Sequence, residues 1–310
     1  MIRVILCTYN GEKYLREQLD SIANQTILDW KICAYDDRST DRTIELLQKF
    51  GADYPGKVEV HRNSELFGAS RNFLYASAEQ SLDMTDDDYI MFCDQDDIWD
   101  ADKMEVSLNE MGRLISTNGN EEPLLVFGDS RVVDEQLNPI CDSLMAYNNY
   151  DMSHLGLSYE LMENKMQGCT IMINSELARM LQKRPDYVGM YDGYTALLAL
   201  SMGHVSYLGR TVLKYRRWKA SVSSTEDYKE VNKSKFGHLS EQKYIVFDYA
   251  PTIKEILRLF GDRISTQNKK VMESFAALQQ KNWIMRRLSI IRYHMWKTGF
   301  VRNAGLMLLI

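Results

Sequence analysis

Proline is scarce in this 310-residue chain, five residues in all beside 17 glycines, so no long Pro- or Gly-rich linker separates independent modules. Glycine-rich phosphate loops are missing too. Neither G-x-G-x-x-G nor G-x-x-x-x-G-K-[ST] occurs, which argues against a dinucleotide-cofactor domain and a P-loop ATPase. The five cysteines cannot all pair, and no two stand at C-x-x-C spacing. Cys7, Cys33, Cys93 and Cys169 fall inside apolar runs and read as small core residues in a reducing compartment. No stretch reaches the roughly 18 to 20 apolar residues that span a bilayer. The opening Met-Ile-Arg-Val-Ile-Leu is too short for a signal peptide and reads as a strand. A basic excess is also lacking: 37 Lys and Arg against 43 Asp and Glu give −6, which argues against nucleic acid as a partner.

What the chain does have is a core-forming composition. Hydrophobic residues make up 45% and aromatics 11%, which suits one large α/β domain and a smaller C-terminal element. Charge is unevenly spread. Over residues 269–310 eight basic residues stand against the single acid Glu273, a segment of +7 in a chain of −6, leaving −13 on the remainder. The two parts therefore have different electrostatic partners.

Apolar runs and helical periodicity alternate over the first hundred residues. Residues 2–7 read as a strand, and Leu15, Leu19 and Ile22 mark one face of a helix. Residues 30–35 form a second strand, and Ser39-Thr40-Asp41 is a capping signal for a helix that buries Ile44, Leu47 and Phe50. A strand at 58–61, a helix at 70–78 and a strand at 89–93 continue the pattern. This alternation predicts an α/β fold, a mostly parallel sheet flanked by helices. Further strands are expected at 124–127, 169–173, 205–208 and 212–215, and an apolar helix at 192–202. A polar loop at 221–234 precedes helices, so the expected division is 1–220 for the main domain and 221–310 for a helical, basic extension.

Sheets of this kind bind ligands beyond the carboxyl ends of their strands, and the acids cluster there. Asp36-Asp37 closes the second strand and Asp94-Gln95-Asp96-Asp97 the fourth. Asp94 and Asp96 face the same way on an extended segment and can converge on one cation. Oxygen ligands suit a hard Mg²⁺ or Mn²⁺ ion, which also takes up phosphate oxygens. Each cluster has a plainer reading as well, the quartet as a solvated acidic loop and Asp36-Asp37 as the acidic start of a helix. Two clusters on neighbouring strand ends favour a site.

Thr8-Tyr9-Asn10, Tyr35-Asp36-Asp37-Arg38-Ser39-Thr40-Asp41 and Asp94-Gln95-Asp96-Asp97-Ile98-Trp99, in that order, resemble the family 2 glycosyltransferases of GT-A fold. The stretch 93–99 and Gln167-Gly168-Cys169-Thr170 are most similar to the rhamnosyltransferase branch, which builds bacterial cell-surface polysaccharides. The resemblance covers about residues 1–220. It implies inverting transfer from a nucleotide-sugar, dTDP-rhamnose first and a UDP-linked sugar second, to a growing, lipid-linked glycan on the cytoplasmic side. Thr8, Tyr9 and Asp37 are then expected at the pyrimidine nucleoside, with Asp36 in support and Arg71 reaching the nucleotide. Asp96 becomes the principal metal ligand with Asp94 assisting, and Trp99 and Gly168 belong to the sugar and acceptor pocket. Asp192, in Met190-Tyr191-Asp192-Gly193-Tyr194, takes the place of the general base; its plain reading is a helix N-cap.

Two positions depart from the branch. Tyr191 stands where a His precedes the base, and Trp218 where a His follows Tyr-Arg-x. Arg216 and Arg217 are expected to supply the phosphate contacts instead, since a guanidinium binds phosphate bidentately. The departures leave open a non-catalytic nucleotide-sugar-binding scaffold. A sugar-1-phosphate nucleotidyltransferase is a further alternative, but Cys7-Thr8-Tyr9-Asn10-Gly11 is not its Gly-rich loop. Residues 283–310 interleave Trp283, Ile284, Met285, Leu288, Ile291, Trp296, Phe300 and Leu306 with Arg286, Arg287, Arg292, Lys297 and Arg302. That segment reads either as a basic amphipathic helix on an anionic membrane, which makes the protein peripheral, or as a packed helix with solvated arginines.

Overall fold

The computed structural model describes residues 1–217 and 239–310. β1 (Ile2–Thr8), β2 (Trp30–Asp36), β3 (Val58–Arg62) and β4 (Tyr89–Cys93) form the parallel half of one sheet, ordered β3-β2-β1-β4. All seven residues of β1 are buried, the mark of a strand covered on both faces, which is why it reads as a continuous apolar run. α1 (Leu15–Ala23), α2 (Thr43–Asp53) and α3 (Ala69–Gln80) make the crossovers. Leu15, Leu19, Ile22, Leu47 and Phe50 are fully buried, and Ile44 is half-buried. α2 starts after the expected capping signal: Arg42 holds the cap position, and Asp41 accepts from the N–H of Thr43 at 3.0 Å and from its hydroxyl at 2.6 Å.

Beyond β4 the sheet is mixed. The elements that follow are β5 (Ile98–Trp99), α4 (Lys103–Asn118), β6 (Leu124–Val133), β7 (Pro139–Cys141), α5 (Leu144–Tyr147), α6 (Leu157–Glu160), β8 (Met172–Asn174), α7 (Ser175–Met180), α8 (Tyr191–Met202) and β9 (His204–Arg216). β8 runs antiparallel between β4 and β6, β9 lies parallel to β6, and β5 and β7 are antiparallel additions. β6 and β9 therefore run in the same direction as the first four strands, and the mostly parallel expectation holds for six of the nine strands, with β8, β5 and β7 reversed. Cys7, Cys33, Cys93 and Cys169 are buried free thiols.

The described residues fold as two compact units. One comprises Met1–Leu144, Met166–Arg184 and Met190–Arg216; the other comprises Met145–Lys165, Pro185–Gly189 and Arg217–Ile310. The second holds α9 (Leu239–Phe260), α10 (Thr266–Ala276), α11 (Trp283–Arg292) and α12 (Phe300–Leu309). The expected division at 220, the polar loop at 221–234 and Trp218 lie outside the described residues. Two earlier stretches join the C-terminal helices through polar ties. Glu163 accepts from the Thr298 N–H at 2.8 Å and from Arg302 at 3.1 Å. The Asp186 N–H donates to Glu255 at 2.8 Å, and the Gly189 N–H to the Thr252 hydroxyl at 3.2 Å. Among the described residues no helix is long and apolar enough to cross a membrane.

Candidate active site

β1 pairs with β2 on one side and β4 on the other, so the loops leaving these strands emerge together. They are laced by hydrogen bonds. The Gln95 amide joins Tyr9 in both directions: the Tyr9 N–H donates to Oε1 at 2.9 Å, and Nε2 donates to the Tyr9 carbonyl at 3.0 Å. A Cβ on Gly11 would stand 2.3 Å from Gln95 Oε1, so a larger residue there would displace the amide of this bridge. Asn10 ties the other pair of loops. Its N–H donates to Ser39 Oγ and its Oδ1 accepts from the Thr40 N–H, both at 2.9 Å. Asn10 does this at φ 47°, a left-handed backbone that asparagine tolerates better than most residues.

Asp36 is fully buried. It accepts from Thr8 Oγ1 at 3.1 Å, from the Ser39 N–H at 2.9 Å and from the Ser39 hydroxyl. Asp37 accepts from Asn63 Nδ2 at 2.9 Å and from the N–H groups of Phe67 and Gly68 at 2.8 Å each. It thereby fastens loop 63–68 to the end of β2. Thr8 and both acids are engaged with the chain's own donors and make a rigid corner, while Tyr9 is 51% exposed beside them. Arg71 sits on the surface of α3, 4.0 Å from Glu65 and over the Phe67 ring. Asp37→Asn would turn an amide NH₂ toward one of these N–H donors. The expected loss is about 1 to 3 kcal/mol, read as a lower urea midpoint, and an unchanged midpoint would mean that the corner does not depend on this carboxylate.

In the 94–97 loop, Asp94 and Asp96 are half-buried and Asp97 fully buried. Oxygens of Asp94 and Asp97 and the Cys169 sulfur lie within 4.8 Å of one another, and Asp97 accepts from the Arg216 N–H at 3.1 Å. Lys103, fully buried, donates to the Cys169 carbonyl at 2.5 Å. Burial, then the charges of Asp96 and Asp192, push the Asp94 carboxyl up to about 7, with Lys103 pulling the other way. Burial, then Asp96 and Asp94, hold Asp97 well above the usual carboxylate range. Burial also lowers Lys103 to about 8, against the raising influence of Cys169, Cys93, Asp97 and Asp94. Crowded carboxyls of this kind are what a divalent cation relieves. The Cys169 thiol, pushed well above its ordinary value by burial, is a soft and protonated group that suits Mg²⁺ or Mn²⁺ poorly. The oxygen donors gathered here are those of Asp94 and Asp97, while Asp96, the ligand expected from the sequence, is half-buried in the same loop.

Asp192 lies in the first turn of α8, where Met190 holds the cap position. The plain reading of Asp192 as the N-cap is therefore corrected by one turn geometry: the helix begins at Tyr191, before it. Asp192 is half-buried, accepts from the Gly193 N–H at 2.6 Å, and acts electrostatically on Asp94. Tyr191 is a core ring, stacked on Phe73 at 4.1 Å and edge-on to Phe92 at 5.1 Å. Gly168 is buried against it, and a Cβ there would stand 2.0 Å from the Tyr191 hydroxyl. Gly168 thus makes room for Tyr191 rather than lining an open pocket.

Two further expectations are corrected by burial. Trp99, read as a pocket wall, is 3% exposed because β5 pairs with β9 and sets it opposite Leu213 in the core; the Lys103 ammonium lies 3.4 Å from its ring centre. Arg216, read as a phosphate ligand, is 2% exposed. Its guanidinium donates to the carbonyls of Asp96 at 2.8 Å and Glu135 at 2.7 Å and to the Glu17 carboxylate. All three nitrogens are engaged, so Arg216 anchors the 94–97 loop to β9. Arg217 is half-buried at the end of the first described stretch and belongs to the second unit. Gln95, Asp97 and Lys103 went unassigned in the sequence because each is defined by partners from distant segments.

A crystal structure of S. aureus TarS 1-349 in complex with UDP-GlcNAc matches this fold with a TM-score of 0.58 at 17% identity, over 89% of this chain and 70% of that one. The protein has the GT-A glycosyltransferase fold: a curled central sheet flanked by helices, with a helical C-terminal region. Within that class, residues 3–114 match the profile described as Glycosyl transferase family 2. The dTDP-rhamnosyl transferase RfbG of Shigella flexneri is 36% identical over 115 residues, 37% of this chain and 38% of that protein. The Escherichia coli protein WfgD, a UDP-Glc:alpha-D-GlcNAc-diphosphoundecaprenol beta-1,3-glucosyltransferase, is 24% identical over 238 residues, 75% of this chain and 83% of its own. The chain thus spans about two-fifths of the length of RfbG in the stretch they share.

Proposed function

We propose that this chain is an inverting, metal-dependent glycosyltransferase of bacterial cell-surface polysaccharide synthesis. L-rhamnose from dTDP-rhamnose is the first candidate for the transferred sugar, and a growing lipid-linked glycan on the cytoplasmic side is the acceptor. The observation that carries this reading is the gathering of carboxyls at the ends of the laced strands, where oxygens of Asp94 and Asp97 lie within 4.8 Å of each other and Asp192 acts electrostatically on Asp94. The likeness to RfbG supports the rhamnosyl donor, and the diphosphoundecaprenol in the name of WfgD supports a lipid-linked acceptor. A basic, apolar C-terminal segment on an anionic membrane surface belongs to the same reading.

The nucleoside is held at the corner of Thr8, Tyr9, Asp36 and Asp37, whose hydrogen bonds keep it rigid before the donor arrives. Asp94 and Asp96 would hold Mg²⁺ or Mn²⁺, which when bound neutralises charge on the departing diphosphate. Asp192 takes the proton from the acceptor hydroxyl while that oxygen bonds to the anomeric carbon. The bond from that carbon to the diphosphate breaks on the opposite face, so the configuration inverts. Gly168 and Tyr191 fix the start of α8 and hence the position of the base.

Thermal unfolding with dTDP, UDP, GDP and ADP, each with and without Mn²⁺, tests the donor site. A ligand at 100 times its Kd stabilises the folded state by about 2.7 kcal/mol. The expected result is a metal-dependent rise in Tm, largest with dTDP. A larger rise with UDP would keep the transferase and change the sugar. No rise with any nucleotide would overturn the proposal.

A further inference from the structure

The C-terminal unit carries an exposed apolar surface. On α11, Trp283, Ile284, Met285, Leu288 and Ile291 are between 47% and 63% exposed. Ile284, Leu288 and Ile291 stand at i, i+4 and i+7 and share one helix face. Arg286 and Arg287 of the same helix turn the other way. Arg287, 8% exposed, donates to the Trp283 carbonyl at 2.8 Å and stacks 3.6 Å from the centre of its ring system. Arg286 donates to the carbonyls of Leu278 at 3.0 Å, Lys281 at 2.8 Å and Gln279 at 2.8 Å. Five apolar side chains of this helix thus face out, while the guanidinium groups of Arg286 and Arg287 satisfy backbone carbonyls and Arg292 stays exposed. α12 repeats the pattern, with Phe300, Val301 and Leu308 from 79% to 87% exposed while Leu306 is buried. Single exposed leucines are ordinary, but five large apolar residues on a three-turn helix are not.

A groove of about 640 Å³ lies between α10 and α11. Met285, Leu288 and Ile291 line it from the apolar face, with Lys270, Lys281 and Arg292 as its cations and Glu273 as its acid. Lys281 is committed internally, to the hydroxyls of Ser274 at 2.9 Å and Ser289 at 2.8 Å. Lys270 and Arg292 are exposed.

We propose that this face seats on an anionic lipid bilayer. Trp283, Ile284, Leu288 and Ile291 enter the interface, and Lys270 and Arg292 meet lipid phosphates at the groove. Charge selects the occupant. At the groove the exposed cations Lys270 and Arg292 and the Lys281 ammonium outnumber the single acid Glu273, so two copies joined through this same face would set like charge against like, whereas anionic headgroups complement it. Each basic residue close to such a surface strengthens partitioning about fivefold. The inference deepens the lipid-linked acceptor reading and rests on it for its biological setting.

The test uses the full chain with vesicles of phosphatidylcholine alone and of phosphatidylcholine mixed with phosphatidylglycerol. Co-sedimentation is expected to be at least tenfold stronger with the anionic vesicles. Brominated lipids are expected to quench tryptophan emission, with the quenched part lost in Trp283→Phe. The triple variant Ile284→Ser, Leu288→Ser, Ile291→Ser should lose about tenfold or more in binding with an unchanged Tm, because these side chains are exposed. Lys270→Gln with Arg292→Gln should reduce the preference for anionic vesicles. Equal binding of the wild type and the triple variant would overturn the proposal. A concentration-dependent dimer abolished by the serine substitutions would also overturn it, by giving the face to a second copy. Nucleotide stabilisation without vesicle binding sinks this inference alone; vesicle binding without nucleotide stabilisation sinks the transferase reading alone.

Discussion

Asp192→Asn is expected to remove sugar transfer while leaving the donor bound. The substitution is nearly isosteric, and the Asn carbonyl oxygen can still accept the Gly193 N–H that Asp192 now accepts at 2.6 Å. What it cannot do is take a proton from the acceptor hydroxyl. General-base catalysis contributes about 10² to 10⁴ in rate, so kcat should fall by that factor. Stabilisation by dTDP and Mn²⁺ should be retained, because the nucleoside corner and Asp96 are untouched. Full transfer by the variant would give the base to another residue. A wild-type protein that binds donor and transfers to no acceptor would favour the non-catalytic scaffold.

Gly168→Ala should have the second large effect, through packing. The added Cβ would stand 2.0 Å from the Tyr191 hydroxyl and 2.4 Å from its Cζ. Tyr191 has no easy retreat, being stacked on Phe73 at 4.1 Å and edge-on to Phe92 at 5.1 Å. Overpacking of this kind costs about 1 to 3 kcal/mol, and each kcal/mol lowers Tm by about 2 to 4 °C in a chain of a few hundred residues. Activity should fall further than stability, because Asp192 follows Tyr191 directly and a misplacement of about 1 Å can cost about 10²-fold in rate. Tyr191→Leu removes the atoms in collision, so Gly168→Ala with Tyr191→Leu should be less destabilised than the two single changes summed. Strict additivity would locate the damage elsewhere.

Much of the site was legible because its acids stand at strand ends. β1, β2 and β4 are buried on both faces, which turns them into unbroken apolar runs, and the first residues to break each run are the polar ones that matter. Asp36 and Asp94 were found that way, whereas Asp192, inside the first turn of α8, was named only by the family resemblance. The same logic misled at Trp99 and Arg216. Local pattern marks an aromatic after an acidic loop and an arginine at a strand end as candidates for a ligand, but it does not say what covers them. The pairing of β5 with β9 covers Trp99, and Glu17, Asp96 and Glu135 close around Arg216.

By itself the sequence determined the parallel half of the sheet, the places where carboxylates collect, and the separation of a basic tail from an acidic body. These follow from periodicity, punctuation and charge along the chain, all local quantities. The tertiary structure decided the reversed strand β8, the role of Gln95 as the bridge between two loops, the crowding of Asp94, Asp97, Cys169 and Lys103, and the outward turn of α11's apolar face. Each of these depends on which distant segment arrives as a neighbour. A helix states in its sequence that it has an apolar face and a basic one, but only its packing partners select which of them meets water.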